Sequence, residues 1–337
     1  MAARPGETLN GWLGMSERGP RYHGRVGMTG DAYEAFGIEF ECRFPVPELR
    51  PARADTRPDV VFGLESAEFV KRTFSGPAGT RIVRETLLGD GCRYRVERGR
   101  DGDRLIEYGD RASFLLAPDA SLVMCAPTDP TSPEWRRFLL DTVLGTVSLV
   151  RGFEALHAAG GLTPQGVVAV AAGQGGGKST LLVELLARGG VLFNDDILAL
   201  AHRDGDVVGF PGPPLLNLPV TLPEGSKPES IGRVLARIDG ECWTAIDRPA
   251  IGPAPIAAVV FLERAPMSEP RVERMPRSPA PLLAHSLLSG ADRARLARRF
   301  ALLGDLADQT PMLRLSAPSS LAPLSLARMV EDAMAEL

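Results

Sequence analysis

A lysine, a serine and two aspartates in the middle of this 337-residue chain have the side chains that phosphate chemistry needs. Lys178 and Ser179 follow a glycine-rich stretch directly, and Asp195 stands 17 residues after Lys178, with Asp196 next to it. An ammonium group can neutralise phosphate oxygens, a hydroxyl can complete the coordination of Mg²⁺, and a carboxylate can hold the metal or accept a proton. These residues predict a site for ATP and Mg²⁺.

The glycine-rich stretch has the sequence context of a phosphate-binding loop, or P-loop. The apolar residues 167–171 before it predict a strand, and residues 178–188 after it have a helical pattern. Glycines there would let backbone N–H groups converge on a polyphosphate at the positive end of the helix dipole. Ala172 replaces the usual first glycine, which is tolerable if that position needs no positive φ. The predicted nucleotide ligands are Gly173, Gln174, Gly175, Gly176, Gly177, Lys178, Ser179 and Thr180.

The two aspartates end a second apolar run, which starts at residue 191. A strand beside the P-loop strand would bring both carboxylates to the rim where Mg²⁺ and the γ-phosphate lie. One carboxylate would hold the metal, for which Ser179 and Asp195 are the candidate ligands, and the other would accept the proton of an attacking hydroxyl. Without a P-loop, the same pair would more simply cap a turn.

Three other residues are weaker candidates. His157 precedes Lys178 by 21 residues, but a single histidine is more often a packed or capping residue than a catalytic one. Lys227 and Arg233 stand in a segment with glycine and proline and could close over the phosphates, although an exposed loop lysine is usually only solvated.

The first 130 residues differ in pattern from the rest. Residues 1 to about 30 are polar and rich in glycine and arginine, which predicts a loosely ordered arm. Short alternating or apolar runs then predict mostly antiparallel strands at 35–44, 59–63, 92–97, 104–108, 112–116 and 121–125. The sequence therefore predicts an N-terminal mainly-β domain over residues 1–130.

A second domain is predicted over residues 131–337. Thr131, Pro133 and Glu134 have the pattern of a helix start, and a long helix is expected from about Glu134 to Leu156, followed by a break at Gly160-Gly161. Residues 256–262 predict a buried strand, and residues 281–303 and 321–337 have helical patterns. The predicted fold class is α/β, with a P-loop core behind the β domain; the family resemblance given below implies that this core is a kinase core.

Composition excludes several classes of protein. The chain is 44% hydrophobic and 24% charged, as ordinary globular chains are. Its net charge is −4 and it has no long basic run, so no nucleic-acid partner is expected. No window approaches the roughly eighteen apolar residues of a membrane span, and the N-terminus lacks an apolar signal segment. The sequence predicts a cytoplasmic protein with no membrane partner.

These motifs together resemble the catalytic core of HPr kinase/phosphorylase. The segments that carry the resemblance, in the family's order and spacing, are His157, residues 172–179, Arg188-Gly189 and Asn194-Asp195-Asp196. The resemblance implies a core like that of phosphoenolpyruvate carboxykinase, with ATP and Mg²⁺ as cofactors. It also implies that His157 lies by the active site and that Lys178, Asp195 and Asp196 are catalytic.

More diffusely, the whole chain resembles the HPr-kinase-like proteins of peptide-modification and lasso-peptide clusters, through residues 33–37, 47–49, 156–158 and 257–264. The resemblance implies an ATP-dependent kinase that transfers the γ-phosphate to a hydroxyl of a peptide, protein or small molecule. In place of the Glu-Ile-Arg-Gly-Leu-Gly signature of true HPr kinases, this chain has residues 208–212, which contain no acid.

Two other functions fit parts of the sequence. Residues 287–296 are similar to the Leu-Ser-Gly-Gly-Gln signature of ABC proteins, which favours a transport or regulatory ATPase, but residues 301–308 lack the expected Asp-Glu pair. A non-catalytic nucleotide-binding module would have the same P-loop. The N-terminal β region would either recognise the acceptor or mediate assembly into a homo-oligomer, and the sequence does not choose between these roles.

Overall fold

The computed structural model describes residues 30–49, 51, 58–76, 79–88, 91–173, 175–222, 227–287 and 293–336. The predicted N-terminal arm lies outside these ranges except for Gly30, and Gln174 also lies outside them. Residues 31–337 form one compact unit. The division of the chain at residue 131 stays a prediction.

The first eight strands form one mixed sheet. They are β1 (Asp31–Ala35), β2 (Ile38–Cys42), β3 (Val60–Leu64), β4 (Arg81–Leu87), β5 (Arg93–Arg98), β6 (Arg104–Tyr108), β7 (Ala112–Leu116) and β8 (Leu122–Pro127), in the order β1-β2-β3-β8-β7-β6-β5-β4. Helix α1 (Ala67–Thr73) follows β3. All pairs are antiparallel except β2 with β3 and β3 with β8.

The strand predicted over residues 35–44 is a hairpin. Strands β1 and β2 turn at Phe36 and Gly37, whose φ angles are 54° and 76°. Two consecutive positive φ values are typical of the two-residue turns that match the twist of paired strands. The other five predicted strands of this region each overlap an observed one.

The long helix predicted from Glu134 to Leu156 is wrong in its last part. The helical segment consists of α2 (Glu134–Phe138), a π-helical turn (Leu139–Val143) and α3 (Leu144–Arg151). It ends at Gly152, whose φ of 108° is a left-handed cap that glycine adopts without strain. The chain then enters β9 (Glu154–Thr163), so Gly160-Gly161 lies inside a strand and is not a break.

A second eight-stranded sheet contains the candidate site. Its strands are β9, β10 (Gly166–Ala171), β11 (Val191–Asn194), β12 (Ile197–Arg203), β13 (Asp206–Phe210), β17 (Ala254–Arg264), β18 (Arg271–Arg274) and β19 (Met312–Ala317). The main order is β10-β9-β12-β13-β17-β19-β18, with β11 also on β9, and β10 pairs in parallel with β17. A small third sheet has the order β14-β16-β15, from β14 (Leu215–Pro219), β15 (Arg233–Ile238) and β16 (Glu241–Ala245).

The remaining helices are α4 (Lys178–Ala187), a 3₁₀ turn (Pro228–Ser230), α5 (Ala280–Ala284), α6 (Arg293–Gln309) and α7 (Pro323–Ala335). The helical pattern predicted over 281–303 thus corresponds to α5 and α6, and that over 321–337 to α7. The fold is mixed α/β, with two large sheets and few helices. Among the described residues, no helix is both long enough and apolar enough to cross a membrane.

The largest hydrophobic core joins the first sheet to α2 and α3. Phe138 stacks on Tyr108, with ring centroids 4.2 Å apart, and packs edge-on against Tyr94 at 5.6 Å. Ile197 and Trp243, from later in the chain, belong to the same core. The first sheet is therefore packed against elements that also reach the candidate site.

Candidate active site

The glycine-rich loop connects β10 to α4, as the sequence predicts. Gly175 and Gly177 have φ angles of 69° and 95°, which side chains rarely permit. A Cβ atom at Gly176 would lie 2.8 Å from Cβ of Ala172. Ala172 itself has no positive φ, so alanine is tolerated where a glycine is more usual.

A cavity of about 700 Å³ opens over this loop. Its described lining consists of Gly173, Gly175, Gly176, Gly177, Leu262, Glu263, Arg264, Ala265 and Ser319. Arg264 ends β17 and donates a hydrogen bond from Nη1 to the carbonyl of Pro318 at 3.0 Å, and burial lowers its pKa. Its Nη2 atom would lie 3.5 Å from a Cβ atom at Gly177, so this guanidinium borders the loop. Arg264 is a candidate phosphate ligand that the motif analysis missed.

Asp195 is held from both sides. Its Oδ1 accepts a hydrogen bond from Oγ of Ser179 at 3.0 Å, and its Oδ2 accepts one from the backbone N–H of Asn217 at 2.8 Å. The residue is only 9% exposed. Burial, followed by the charge of Asp196, raises the pKa of Asp195 well above its usual range. Ionisation of this fixed carboxyl group is therefore unfavourable in the ligand-free site, and a bound cation would stabilise the ionised form.

Asp196 is oriented differently and forms a chain of contacts with Lys178 and His157. Nζ of Lys178 lies 3.6 Å from Oδ1 of Asp196 and 3.0 Å from Nε2 of His157. Nδ1 of His157 lies 3.2 Å from the backbone carbonyl of Asp196. The side chain of Asp196 is 34% exposed, whereas that of Lys178 is 8% exposed. Asp196 is therefore the more accessible of the two carboxylates.

The hydrogen bonds of His157 define its state. A neutral ring with its proton on Nδ1 donates to the carbonyl of Asp196 and accepts from the Lys178 ammonium at Nε2. Burial, and then the charge of Lys178, lower the pKa of His157, which favours this neutral form. His157 thus fixes the position of Lys178 and lies in the candidate site, on strand β9.

The strands on either side of the aspartate pair have a different position in the sheet from the one predicted. Both β11 and β12 pair with β9, which separates them from β10. The prediction that the strand before the aspartate pair lies directly beside β10 is therefore wrong. Asn194, the last residue of β11, connects it to β9 by donating from Nδ2 to the carbonyl of Ala158 at 2.6 Å. A Cβ atom at Gly160 would lie 2.3 Å from Oδ1 of Asn194, which explains a glycine inside β9.

Asp141 is a third acid that the sequence analysis missed. It lies in the π-helical turn and lines a small cavity together with Asp195 and Asp196. Burial, followed by the charge of Asp196, raises its pKa to about 7. One sequence signal could have found it, namely an acid within a mainly apolar helical run; the π-helical turn, which often marks functional sites, is visible only in the structure.

The donor set fits a magnesium ion. Among the described residues, no group of three or more His, Cys, Asp and Glu side chains could hold a metal by itself. Mg²⁺ needs only one or two protein oxygens and completes its shell with water and phosphate oxygens. The Asp195 carboxylate and the Ser179 hydroxyl supply those oxygens, and a divalent cation would offset the charges of the adjoining acids.

Three other predicted residues make no described side-chain contact with this cluster. Thr180 is half-buried in the first turn of α4, while Lys227 and Arg233 are exposed, before the 3₁₀ turn and on β15. Their roles stay predictions. Residues 288–292, the middle of the segment similar to an ABC signature, lie outside the described residues.

No protein-family model matches this chain, and no curated protein matches it. Among solved structures, the HPr(Ser) kinase/phosphatase from Coxiella burnetii is similar, at 15% identity. The match covers 54% of this chain and 97% of that chain, with a TM-score of 0.30. So low a score does not establish a shared family, and the family resemblance of the motifs stays a prediction.

Proposed function

We propose that this protein is an ATP- and Mg²⁺-dependent, HPr-kinase-like kinase that transfers the γ-phosphate to a hydroxyl of a peptide, protein or small molecule. The observation that supports this most is the convergence of Lys178, Ser179, Asp195 and Asp196 beside a strand–glycine loop–helix unit. The proposal places the protein in the cytoplasm and includes neither nucleic acid nor a membrane as a partner.

The loop and its lysine would bind the nucleotide. Backbone N–H groups of the glycine-rich loop and the positive end of α4 would bind the phosphates, and Nζ of Lys178 would neutralise the charge that develops on them. Ser179 and Asp195 would hold Mg²⁺, which neutralises charge on the β- and γ-phosphates. Arg264 adds positive charge at the rim of the same cavity.

Asp196 would be the base. Its carboxylate takes the proton of the acceptor hydroxyl while that oxygen bonds to the γ-phosphorus. The bond between the γ-phosphorus and the bridging oxygen breaks in the same step, and ADP leaves. His157 is a positioning residue, because it contacts Lys178 and the backbone of Asp196.

Replacing the loop lysine tests nucleotide chemistry. We expect Lys178→Met to reduce phosphoryl transfer from MgATP at least about 100-fold, because the site loses the buried ammonium group that would neutralise phosphate charge. ADP and phosphorylated product are measured by mass spectrometry with a panel of hydroxyl acceptors. Lys71→Met, at an exposed position of α1, is the matched control and should leave transfer unchanged. Binding of MgATP without turnover of any acceptor by the wild type would instead favour a non-catalytic module.

A further inference from the structure

A second cavity, of about 190 Å³, adjoins the candidate base. We call it the acceptor-side cavity. Asp196, His157 and Asp141 form part of its wall, and most of the rest comes from strands β4 to β6 and the helical segment that contains α2 and α3, with Ile197 and Leu287. It shares no described lining residue with the cavity over the glycine-rich loop. The acceptor-side cavity borders Asp196, whereas the cavity over the loop borders Gly177, the residue before Lys178.

Most of the remaining wall is apolar. The side chains that provide it are Val83, Leu88, Val96, Phe138, Leu149 and Leu287. Known sites for drug-sized ligands have volumes of about 300 to 1,000 Å³, so this cavity suits a smaller molecule. An apolar body of a few carbon atoms would displace water from these walls, which stabilises binding.

Two arginines, Arg84 and Arg104, line the cavity and give part of its wall a positive charge. Arg104 donates to the carbonyls of Gly102 and Pro118 at 3.2 and 3.3 Å, and burial, followed by the charge of Arg98, lowers its pKa. The guanidinium of Arg84 lies over the ring of Tyr94, 5.4 Å from its centroid. Among the described residues, neither Arg84 nor Arg104 forms an ion pair, although the charge of Asp103 acts on Arg104 and opposes the lowering of its pKa. Arg104 is half-buried and Arg84 is exposed, and arginines that form no ion pair favour an anionic ligand.

An irregularity in β4 places one of these arginines in the wall. The pairing of β4 with β5 shifts register between Ile82 and Arg84. Such a bulge lets two consecutive side chains depart from strict alternation. Val83 and Arg84 both line the cavity, while Ile82 is 49% exposed and does not.

We infer that the acceptor-side cavity binds the acceptor, and that this acceptor is a small hydroxyl compound with an apolar body and an anionic group. This rests on the proposed kinase function. The anionic group pairs with Arg84 and Arg104, the body contacts the apolar wall, and the hydroxyl meets Asp196. The acceptor oxygen forms a bond to the γ-phosphorus, its proton passes to Asp196, and ADP leaves as the bridging P–O bond breaks.

Direct binding tests the cavity without requiring turnover. The probes are ω-hydroxy carboxylates of four to ten carbons, measured by calorimetry, with the corresponding alcohols that lack the carboxylate. We expect at least one hydroxy acid to bind, and Arg84→Ala or Arg104→Ala to raise its Kd about tenfold or more, as loss of a charge-assisted hydrogen bond should. Arg81→Ala, on the same strand but outside the cavity lining, is the control.

Filling the cavity gives an independent variant. Val83→Trp should abolish binding of the hydroxy acid and its phosphorylation by MgATP, whereas Ile82→Trp, one residue away and exposed, should leave both unchanged. Cooperative unfolding of both variants at similar temperatures excludes misfolding as the cause.

The outcomes separate this inference from the kinase proposal. If an acceptor is phosphorylated equally well by wild type and Val83→Trp, the cavity is not the acceptor site, although the kinase stands. Failure of every hydroxy acid to bind also overturns the inference, as would equal affinity for the alcohols. Binding that depends on Arg84, Arg104 and Val83 but never leads to phosphate transfer would overturn the acceptor role and the kinase proposal together.

Discussion

At the residue scale, three neighbouring acids have different environments. Asp195 is fixed by two hydrogen bonds, Asp196 is more accessible and lies beside Lys178, and Asp141 is desolvated in a π-helical turn. Closely spaced carboxylates cannot all ionise without cost. The fixed position of Asp195 supports its proposed role in metal binding, and the accessibility of Asp196 supports its proposed role in proton transfer.

The raised pKa of Asp141 predicts how the free energy of unfolding depends on pH. Its folded value is about 7, against 3.8 as the unperturbed value, so the folded protein binds more protons in this range and stability falls as pH rises through it. Asp141→Asn should therefore stabilise the ligand-free protein by about 1 to 3 kcal/mol at pH 8, with the gain shrinking toward pH 4. Thermal unfolding in the presence of a chelator measures the difference.

Asp101→Asn, at an exposed turn position, is the control and should change little at either pH. An equal effect of Asp141→Asn at both pH values would show that the carboxyl does not titrate in this range.

At the element scale, strand β9 is the element of the candidate site that the sequence did not predict. The β10–loop–α4 unit could be predicted because its glycines, lysine and flanking periodicity are contiguous. Strand β9 was not predicted because Ala and Gly, which are frequent in it, have weak strand propensity, and its stability comes from pairing with β10, β11 and β12. The left-handed cap at Gly152 then ended the helix earlier than the apolar pattern indicated.

A buried ion pair anchors the start of β9. Oε2 of Glu154 accepts a hydrogen bond from Nε of Arg299 on α6 at 2.6 Å, and the Arg299 side chain is 1% exposed. Arg295 lies 3.6 Å from the same carboxylate. Because Glu154→Gln leaves a buried guanidinium without its counter-charge, we expect a loss of about 3 to 5 kcal/mol in the free energy of unfolding.

Chemical denaturation measures this loss. Asp59→Asn is the matched comparison, because Asp59 pairs with Arg151 at 3.1 Å where both side chains are exposed. It should cost less than about 1 kcal/mol. Equal, small losses in both variants would contradict a stabilising role for the buried pair.

At the scale of the whole molecule, the acceptor-side cavity depends on residues far apart in the chain. Val83 and Arg84 come from the first sheet, Asp141 from the helical segment, and His157 and Asp196 from the second sheet. The residues of the candidate cluster could be named from the sequence because they lie in or next to one contiguous motif, and the structure brings them into contact, while their catalytic role stays a prediction. The sequence could not predict Arg84 or Arg104, since only tertiary packing brings them near Asp196.

Transfer of phosphate by wild type and by Asp196→Asn tests the central claim most directly. Single-turnover transfer from MgATP to a hydroxyl acceptor is followed by mass spectrometry, with Asp206→Asn, an exposed residue of β13, as the control. We expect Asp196→Asn to lose about 10² to 10⁴-fold in the rate of transfer, the usual contribution of a general base, while MgATP still binds and the control is unaffected. Transfer at the wild-type rate by Asp196→Asn would contradict its role as the base.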